Sequence, residues 1–377
     1  MNFDLSPEQQ MLADSVEKFV SDEYDLERRT QASKMRGGFA AERWQQMAEL
    51  GWLSLNVPAE AGGFGGNQVD TMLVMEQFGK GLVLEPYLAH AVLGLGTLLR
   101  APARSRRDAL IEQAMTGATQ LAFAHAETQS RFDLDNLLTR ASADGPGFEL
   151  NGQKSMVING GSADTFIVAA RTSGAQIDTA GISLFLVDRD TEGLKVQGFP
   201  TVDGLQAAEL TFEGVKLDET ALLSPLDAGW PLLLAAAMDG MLALGAEAVG
   251  AMERLYKDTV TYTSEREQFD HPLAEFQVLQ HRMVDMFVEY EQCKSLLYRA
   301  TLEVATQGNA ALRTVHALKH YVGKAGIMIG ENAVQLHGGM GMTEELPIGH
   351  YFKRLLVIDA QFGNSDYHLQ KFAEYSQ

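Results

Sequence analysis

Gln335-Leu-His-Gly338-Gly339-Met-Gly341-Met-Thr-Glu-Glu-Leu-Pro347-Ile-Gly-His-Tyr-Phe-Lys-Arg354, with the following Asp359-Ala-Gln-Phe362-Gly363-Asn364-Ser365-Asp366, is the stretch whose reading decides the fold. An apolar helical run (Ile327, Ile329, Ala333, Val334) leads into it and ends on the glycine pair. Without a Cβ the backbone there can turn sharply and come close to a flat or phosphorylated ligand. Beyond Pro347 the pattern predicts a second helix, Ile348 to Asp359, closed by a Gly-Asn-Ser turn. The plainer reading, a helix-loop-helix that binds nothing, stays open at this point.

Composition narrows the field. A chain of 377 residues with 46% apolar content has room for two or three domains with sizeable cores. The net charge of -20 opposes nucleic acid and anionic membrane, which are bound through clustered Lys and Arg, so an anionic ligand needs a locally positive pocket. A single cysteine, Cys293, excludes an internal disulfide and a Cys-based metal framework and suits the cytoplasm. The polar, acidic start MNFDLSPEQQ does not read as a signal peptide. No membrane span is expected, because Asp239 and Glu247 interrupt the most apolar run, Leu232 to Ala248.

The chain opens with helices. Ser6 is the expected N-cap, with Pro7 at the first helical position, Gln9 completing a capping box, and Leu12, Val16, Phe19 and Val20 on one apolar face. Further helical spacing covers Ala41 to Leu50, Val69 to Gly79 and Tyr87 to Leu99, around a glycine-rich loop from Pro58 to Gly66. From Gly117 to Leu217 residues alternate in twos, as in Leu121–His125, Thr165–Ala170, Ile182–Val187 and Ala208–Glu213, and Asn151-Gly152 predicts a hairpin turn. Long apolar helices return over Leu232–Thr263, Ala274–Gln307 and Ala310–Gln335, which implies a bundle. The fold class is α+β: an N-terminal helical domain (1–117), a middle, mainly antiparallel β-domain (118–217) and a C-terminal four-helix bundle (218–377).

That order, together with two motifs, resembles the acyl-CoA dehydrogenases over essentially the whole chain. Tyr262-Thr-Ser-Glu-Arg266-Glu-Gln268-Phe269, followed by Phe276-Gln277, looks like the family's Arg-x-x-Phe-Gly segment. Gln335-x-x-Gly338-Gly339-x-Gly341 looks like its Gln-x-x-Gly-Gly-x-Gly. In Leu-His-Gly-Gly, Gly-His-Tyr-Phe-Lys-Arg and Asp-Tyr-His-Leu the chain is most similar to the small subunits of heteromeric members such as pimeloyl-CoA dehydrogenase. The resemblance implies FAD as cofactor, an acyl-CoA substrate, α,β-dehydrogenation and electron-transfer flavoprotein as acceptor. A carboxylate removes the α-proton, a hydride leaves the β-carbon, and hydrogen-bond donors meet the thioester oxygen. It also implies that Arg266, Gln268, Phe269, Gln277, Gln335, Gly338 and Gly339 hold the adenosine diphosphate half of a neighbouring subunit's FAD. An Arg fork suits phosphate oxygens. Taken alone, Arg266 is a solvated arginine at a helix end.

The chain departs from the family where the reaction occurs. Phe362 stands at the usual place of the catalytic Glu, and the alternative place on the preceding long helix holds Gly240. Met241 replaces an expected arginine, which leaves Asp239 without an evident partner. The family's Thr-Glu-Pro-x-x-Gly-Ser-Asp loop appears as Ala126-Glu127-Thr128-Gln129-Ser130-Arg131-Phe132-Asp133, with Phe132 for the serine that meets the CoA arm. Met156 replaces a Trp against the flavin ring, and Ile158 a Thr near its N5. An alkyl group cannot donate the hydrogen bond of that hydroxyl.

The losses imply a small subunit that completes a partner's FAD site within a heterotetramer. A self-assembling enzyme with an unrecognised base and a flavin-free scaffold are the alternatives. Arg131 is a candidate for the CoA phosphates or a second substrate carboxylate, against a plain surface arginine. His316 and His320, one turn apart, lack the companions a metal site needs, and the remaining histidines read as surface or interface groups. Met283 and Met286 read as core, and Glu344 and Glu345 as carboxylates answering a helix macrodipole.

Overall fold

The computed structural model describes residues 5–375. Within them the chain begins with α1 (Pro7–Glu23), α2 (Leu26–Ser33), α3 (Ala41–Glu49), α4 (Gln68–Gly81), α5 (Gly96–Arg100) and α6 (Ser105–Met115). The capping box at α1 forms: Ser6 Oγ accepts from Gln9 N–H at 3.2 Å, and the Gln9 side chain accepts from Ser6 N–H at 3.1 Å. Val16, Phe19 and Val20 are buried there, and Leu12 is half-buried. The helical run expected from Tyr87 to Leu99 is π-helical over Leu88–Leu95 before it tightens into α5.

Seven strands follow: β1 (Leu121–Ala124), β2 (Arg140–Asp144), β3 (Gly147–Ile158), β4 (Thr165–Arg171), β5 (Ile182–Asp188), β6 (Leu194–Pro200) and β7 (Gln206–Leu217). They form one sheet ordered β1-β4-β2-β3-β7-β6, with β5 also on β4. It is mainly antiparallel; β1 and a single residue pair of β2 run parallel to β4. Phe166, Phe185, Leu210, Phe212 and Val215 lie in its core. The expected alternation fails on β4, where every residue is buried, because both of its faces are covered.

Asn151-Gly152 is not a turn. The β2–β3 hairpin closes at Gly145-Pro146, with Asp144 opposite Gly147 and Gly145 at φ 59°. Asn151 and Gly152 lie inside β3 at a register shift, where the Asn151 side chain accepts the Gly214 N–H at 2.8 Å. Gly152 takes φ 144°, and a Cβ there would lie 2.6 Å from the Thr139 Cα, so the glycine serves a bulge and a close approach.

The chain continues with α7 (Trp230–Glu265), a small hairpin of β8 (Glu267–Gln268) and β9 (His271–Pro272), then α8 (Gln277–Gln307), α9 (Leu312–His337), α10 (Pro347–Ala360) and α11 (Ser365–Glu374). Among the described residues α7 is the one helix long and apolar enough to cross a bilayer, but 83% of its apolar window is buried inside the protein, as in a core helix. Met283 and Met286 are buried as expected.

Two compact units divide the chain: one takes the segments up to Gln31, Asn67–Val83 and from Met241 onward, the other Ala32–Gly66 and Leu84–Gly240. In the first, α9 packs on α8, α10 and α11, while α4 packs on α1 and α8, so the C-terminal helices share their core with two from the N-terminal end. The backbones of α4 and α7 touch: a Cβ on Gly79 would strike the Glu247 carbonyl, and one on Gly250 the Glu76 carbonyl. A buried bidentate pair ties α7 to α10, with Arg354 Nε 2.5 Å and Nη2 2.6 Å from the two Glu247 oxygens.

The second unit has its own polar anchors. The Arg171 guanidinium, buried, donates to the carbonyls of Ser173, Ala180, Asp135, Gln176 and Asp178 at 2.8–3.4 Å. His90 is fully buried, contrary to the surface role expected of it: Nε2 donates to the Ala114 carbonyl at 2.9 Å and Nδ1 accepts the Leu121 N–H at 3.2 Å. Those bonds fix a neutral tautomer, and burial pushes its pKa down to about 4.

Arg171→Met is expected to cost about 3 kcal/mol or more in urea unfolding, because it strips donors from several carbonyls at once; an unchanged midpoint contradicts this. For His90, the unfolded imidazole titrates near about 6.5. Between there and about 4 the unfolded chain binds a proton that the folded chain refuses, so stability falls as pH falls through that window. His90→Asn is expected to make this decline shallower in urea midpoints taken from pH 7 to pH 4; an identical decline contradicts it.

Candidate functional site

In the first unit three chain ends come together. Helix α7 stops at Glu265 and Arg266 follows, exposed, with its N–H bonded to the Tyr262 carbonyl at 2.8 Å and its carbonyl to the Leu273 N–H at 2.8 Å. The β8–β9 hairpin carries Phe269 at its tip, 85% exposed and edge-on to Phe276 at 6.3 Å. Phe269 and Asp270 sit at φ 57° and 64°, and that strained tip aims an apolar ring into open space. Gln268 is exposed, and its side chain donates to the Glu267 carbonyl at 2.7 Å. Gln277 opens α8, also exposed.

Helix α9 ends beside them. Thr263 Oγ1 lies 3.1 Å from Met283 Sδ, which joins α7 to α8, and Arg282 Nη1 donates to Asn332 Oδ1 at 3.2 Å, which joins α8 to α9. The Tyr262 ring stacks on His337 at 4.2 Å, which joins α7 to α9. Gln335, Gly338 and Gly339 are exposed at that end. Gly338 needs its φ of 60°, but a Cβ on either glycine would meet no atom within 4 Å. Packing therefore does not demand Gly339; the front beyond the end of α9 is open. His337, expected at the surface, is instead buried against Tyr262. The Gln335–Gly338 motif adjoins it, but no periodicity marked the ring as a partner of α7.

The positions expected to carry a base hold none. Phe362 is half-buried at φ 58° after α10, and Gly363 at φ 119° leads to Asn364, whose side chain caps α11 by accepting the Tyr367 N–H at 3.0 Å. The turn keeps its scaffolding: Lys319, fully buried, donates to the Ile358 carbonyl at 2.6 Å, and His320 Nδ1 lies 2.8 Å from the Ser365 carbonyl. His316 and His320 do not converge on a cation. His316 Nδ1 meets His368 Nδ1 at 2.8 Å, and burial pushes the two down to about 4 and about 2. Among the described residues no cluster of His, Cys, Asp and Glu is arranged for a metal. Glu344 is engaged by side chains, Lys353 at 2.8 Å and His350 at 3.2 Å.

In the second unit Gly240 is buried in α7, and Asp239 does have a partner: Arg100 Nη2 lies 2.6 Å from its carboxylate. That arginine is far away in sequence, on α5, so no local spacing announced it. The loop from Ala126 to Asp133 is anchored by buried Glu127, which accepts from Lys154 Nζ at 2.6 Å and from the Leu138 and Thr139 N–H groups at 2.7 and 3.1 Å. Burial drives Lys154 down to about 8 although Glu127 opposes the shift. Arg131 is exposed at φ 49°, and Phe132 is half-buried. Met156 sits on a bulge at φ 52°, 53% exposed, with Ile158 half-buried two residues on.

Three family models match nearly the whole chain: the acyl-CoA dehydrogenase N-terminal domain over residues 6–118, its middle domain over 122–215 and its C-terminal domain over 227–376. An L-prolyl-[peptidyl-carrier protein] dehydrogenase of a Serratia species is 27% identical, covering 97% of this chain and 96% of the relative. The FAD complex of PigA superposes with TM-score 0.91 at 26% identity, over 99% of this chain and 98% of that one. The ChsE4-ChsE5 complex of Mycobacterium tuberculosis gives 0.90 at 25% identity, over 99% and 98%. With its N-terminal, middle and C-terminal parts each matched by the corresponding family model, the chain belongs to the acyl-CoA dehydrogenase family.

Proposed function

We propose that this chain is the small subunit of a heteromeric, FAD-dependent acyl-CoA dehydrogenase, and that it completes the cofactor site of a partner chain which supplies the base and the ring pocket. One observation carries this: the ends of α7 and α9 meet at an open front that presents Arg266; it is joined by the resemblance, which puts the proton acceptor at the positions held by Phe362 and Gly240. That this fold occurs in a complex of two differently named chains, ChsE4 and ChsE5, supports the heteromeric part of the reading.

The residues fit the two ends of FAD unequally. At the adenosine diphosphate end, a Cβ-free front and a solvent-facing guanidinium suit pyrophosphate oxygens, and Phe269 offers an apolar face. Gln268, Gln277 and Gln335 are exposed around the same place as polar contacts for the adenosine. At the ring end, Ile158 and Met156 offer neither hydroxyl nor indole. When bound, FAD accepts the hydride. This chain's residues bind and orient the cofactor's tail, and the proton leaves the substrate to a group elsewhere.

The substrate in this reading is an acyl-CoA thioester, the acceptor electron-transfer flavoprotein, the assembly a heterotetramer and the compartment the cytoplasm. Arg131, exposed on the β-domain loop, is the side chain of this chain proposed to meet CoA phosphates or a substrate carboxylate. The proposed domain limits, 1–117, 118–217 and 218–377, fall near the ends of the family-model matches. A second reading, a homo-oligomer whose base is Asp239, draws on the Arg100 ion pair, which favours the ionised carboxylate.

Dehydrogenase activity of the purified chain alone, compared with the chain co-expressed with its partner, decides between these. Activity confined to the co-expressed form is expected; strong activity from the lone chain, abolished by Asp239→Asn, would favour the second. In the co-expressed form Arg266→Ala should weaken FAD about 10- to 100-fold, the worth of a charge-assisted phosphate contact. Undiminished flavin content would remove Arg266 from the site.

A further inference from the structure

Tyr262 and His337 meet where α7 and α9 end, their rings 4.2 Å apart and 23° from parallel. Tyr262 lies one helical turn before Arg266, and its carbonyl holds the Arg266 N–H at 2.8 Å. The Arg266 carbonyl holds the Leu273 N–H at 2.8 Å, so the return strand of the hairpin is fastened to the same turn. On the other side His337 directly precedes Gly338, whose φ of 60° begins the open front. His337 Nδ1 lies 2.8 Å from the Ala333 carbonyl; a carbonyl can only accept, so Nδ1 carries the proton and the ring orientation is locked. One pair of rings thus joins the turn that presents Arg266 to the turn that presents two glycines.

We propose that the Tyr262–His337 stack is the positioning element of the cradle: it sets the separation between the Arg266 guanidinium and the Gly338–Gly339 front, and thereby how tightly a pyrophosphate-bearing ligand is gripped. The proposal rests on the cradle reading above and adds the part that keeps its two halves in register. Neither ring is assigned a contact with the ligand. Truncating the buried His337 ring costs some stability whatever its role. An Arg–phosphate fork weakens steeply when its geometry slips. A positioning role is therefore read from affinity, by comparing loss of the ring with a variant that keeps a flat ring in its place.

The charge state agrees with a stacking role. Burial holds the His337 imidazole below its ordinary value, while the bond to Ala333 and the Asp258 carboxylate pull the other way. Asp258 is itself paired with Arg254 at 2.9 Å, which blunts its pull. At neutral pH the ring is uncharged, so another flat ring can stand in for it.

The test measures FAD dissociation constants by flavin fluorescence on the apo form of the co-expressed assembly, with thermal melting alongside. His337→Ala should weaken FAD about tenfold, and His337→Phe, which keeps a ring against Tyr262, should restore affinity to within about twofold. Because the stack acts through the arginine, adding His337→Ala to Arg266→Ala should cost nothing further. Unchanged affinity in His337→Ala, an equal loss in His337→Phe, or a full additional loss on top of Arg266→Ala would each overturn the proposal. Undiminished FAD affinity in Arg266→Ala alone would overturn the cradle reading itself, whatever His337 does.

Discussion

Helix α9 turns its polar side chains toward the ends of other segments, and the C-terminal unit depends on that arrangement. Lys319 caps the carbonyls at the end of α10, His320 holds the start of α11, His316 meets His368, and His337 stacks on the end of α7. An ammonium against helix C-terminal carbonyls is electrostatically favourable, and a buried one needs such partners because desolvation opposes its charge. Burial pushes Lys319 down to about 7, which measures how much the site resists that charge. A helix fastened at so many points can leave the residues just beyond its last turn free of packing duties. Gly338 and Gly339 accordingly face open space where neighbouring ends are locked.

The same economy holds at the turn after α10. The turn at Phe362-Gly363 is held by Lys319, by the Asn364 cap and by the crowding of Tyr367 and His368 against Gly363. None of these contacts involves the side chain at position 362. On the β-domain, Glu127 and Lys154 likewise fasten the loop through backbone N–H groups and an ion pair, independent of what Phe132, Met156 or Ile158 present outward.

Much of this was legible in the residues. The capping box at Ser6, the helix after Pro347 and the glycine end of α9 follow from local chemistry, and local chemistry is what a linear pattern records. The Arg266 and Gly338 motifs were readable as companions only through the family resemblance, since Arg266 taken alone reads as a solvated arginine at a helix end. Long-range pairings were not. Arg100 reaches Asp239, Arg354 reaches Glu247 and His337 reaches Tyr262 across large separations that no periodicity encodes. Asn151-Gly152 misled because an Asn-Gly pair serves a bulge as readily as a turn, and only the pairing of β3 with β7 decides which. The buried histidines misled for a related reason: an imidazole satisfied by two backbone groups, as His90 is, becomes a core residue.

In the proposed assembly this chain grips the tail of a cofactor whose reactive end belongs to another polypeptide. Flavin can be counted against polypeptide in the intact, co-expressed assembly by visible absorbance of the protein and of the flavin released on denaturation. Half as many FAD molecules as chains are expected. One FAD for every chain would contradict it, since each copy of this subunit would then house a flavin ring of its own.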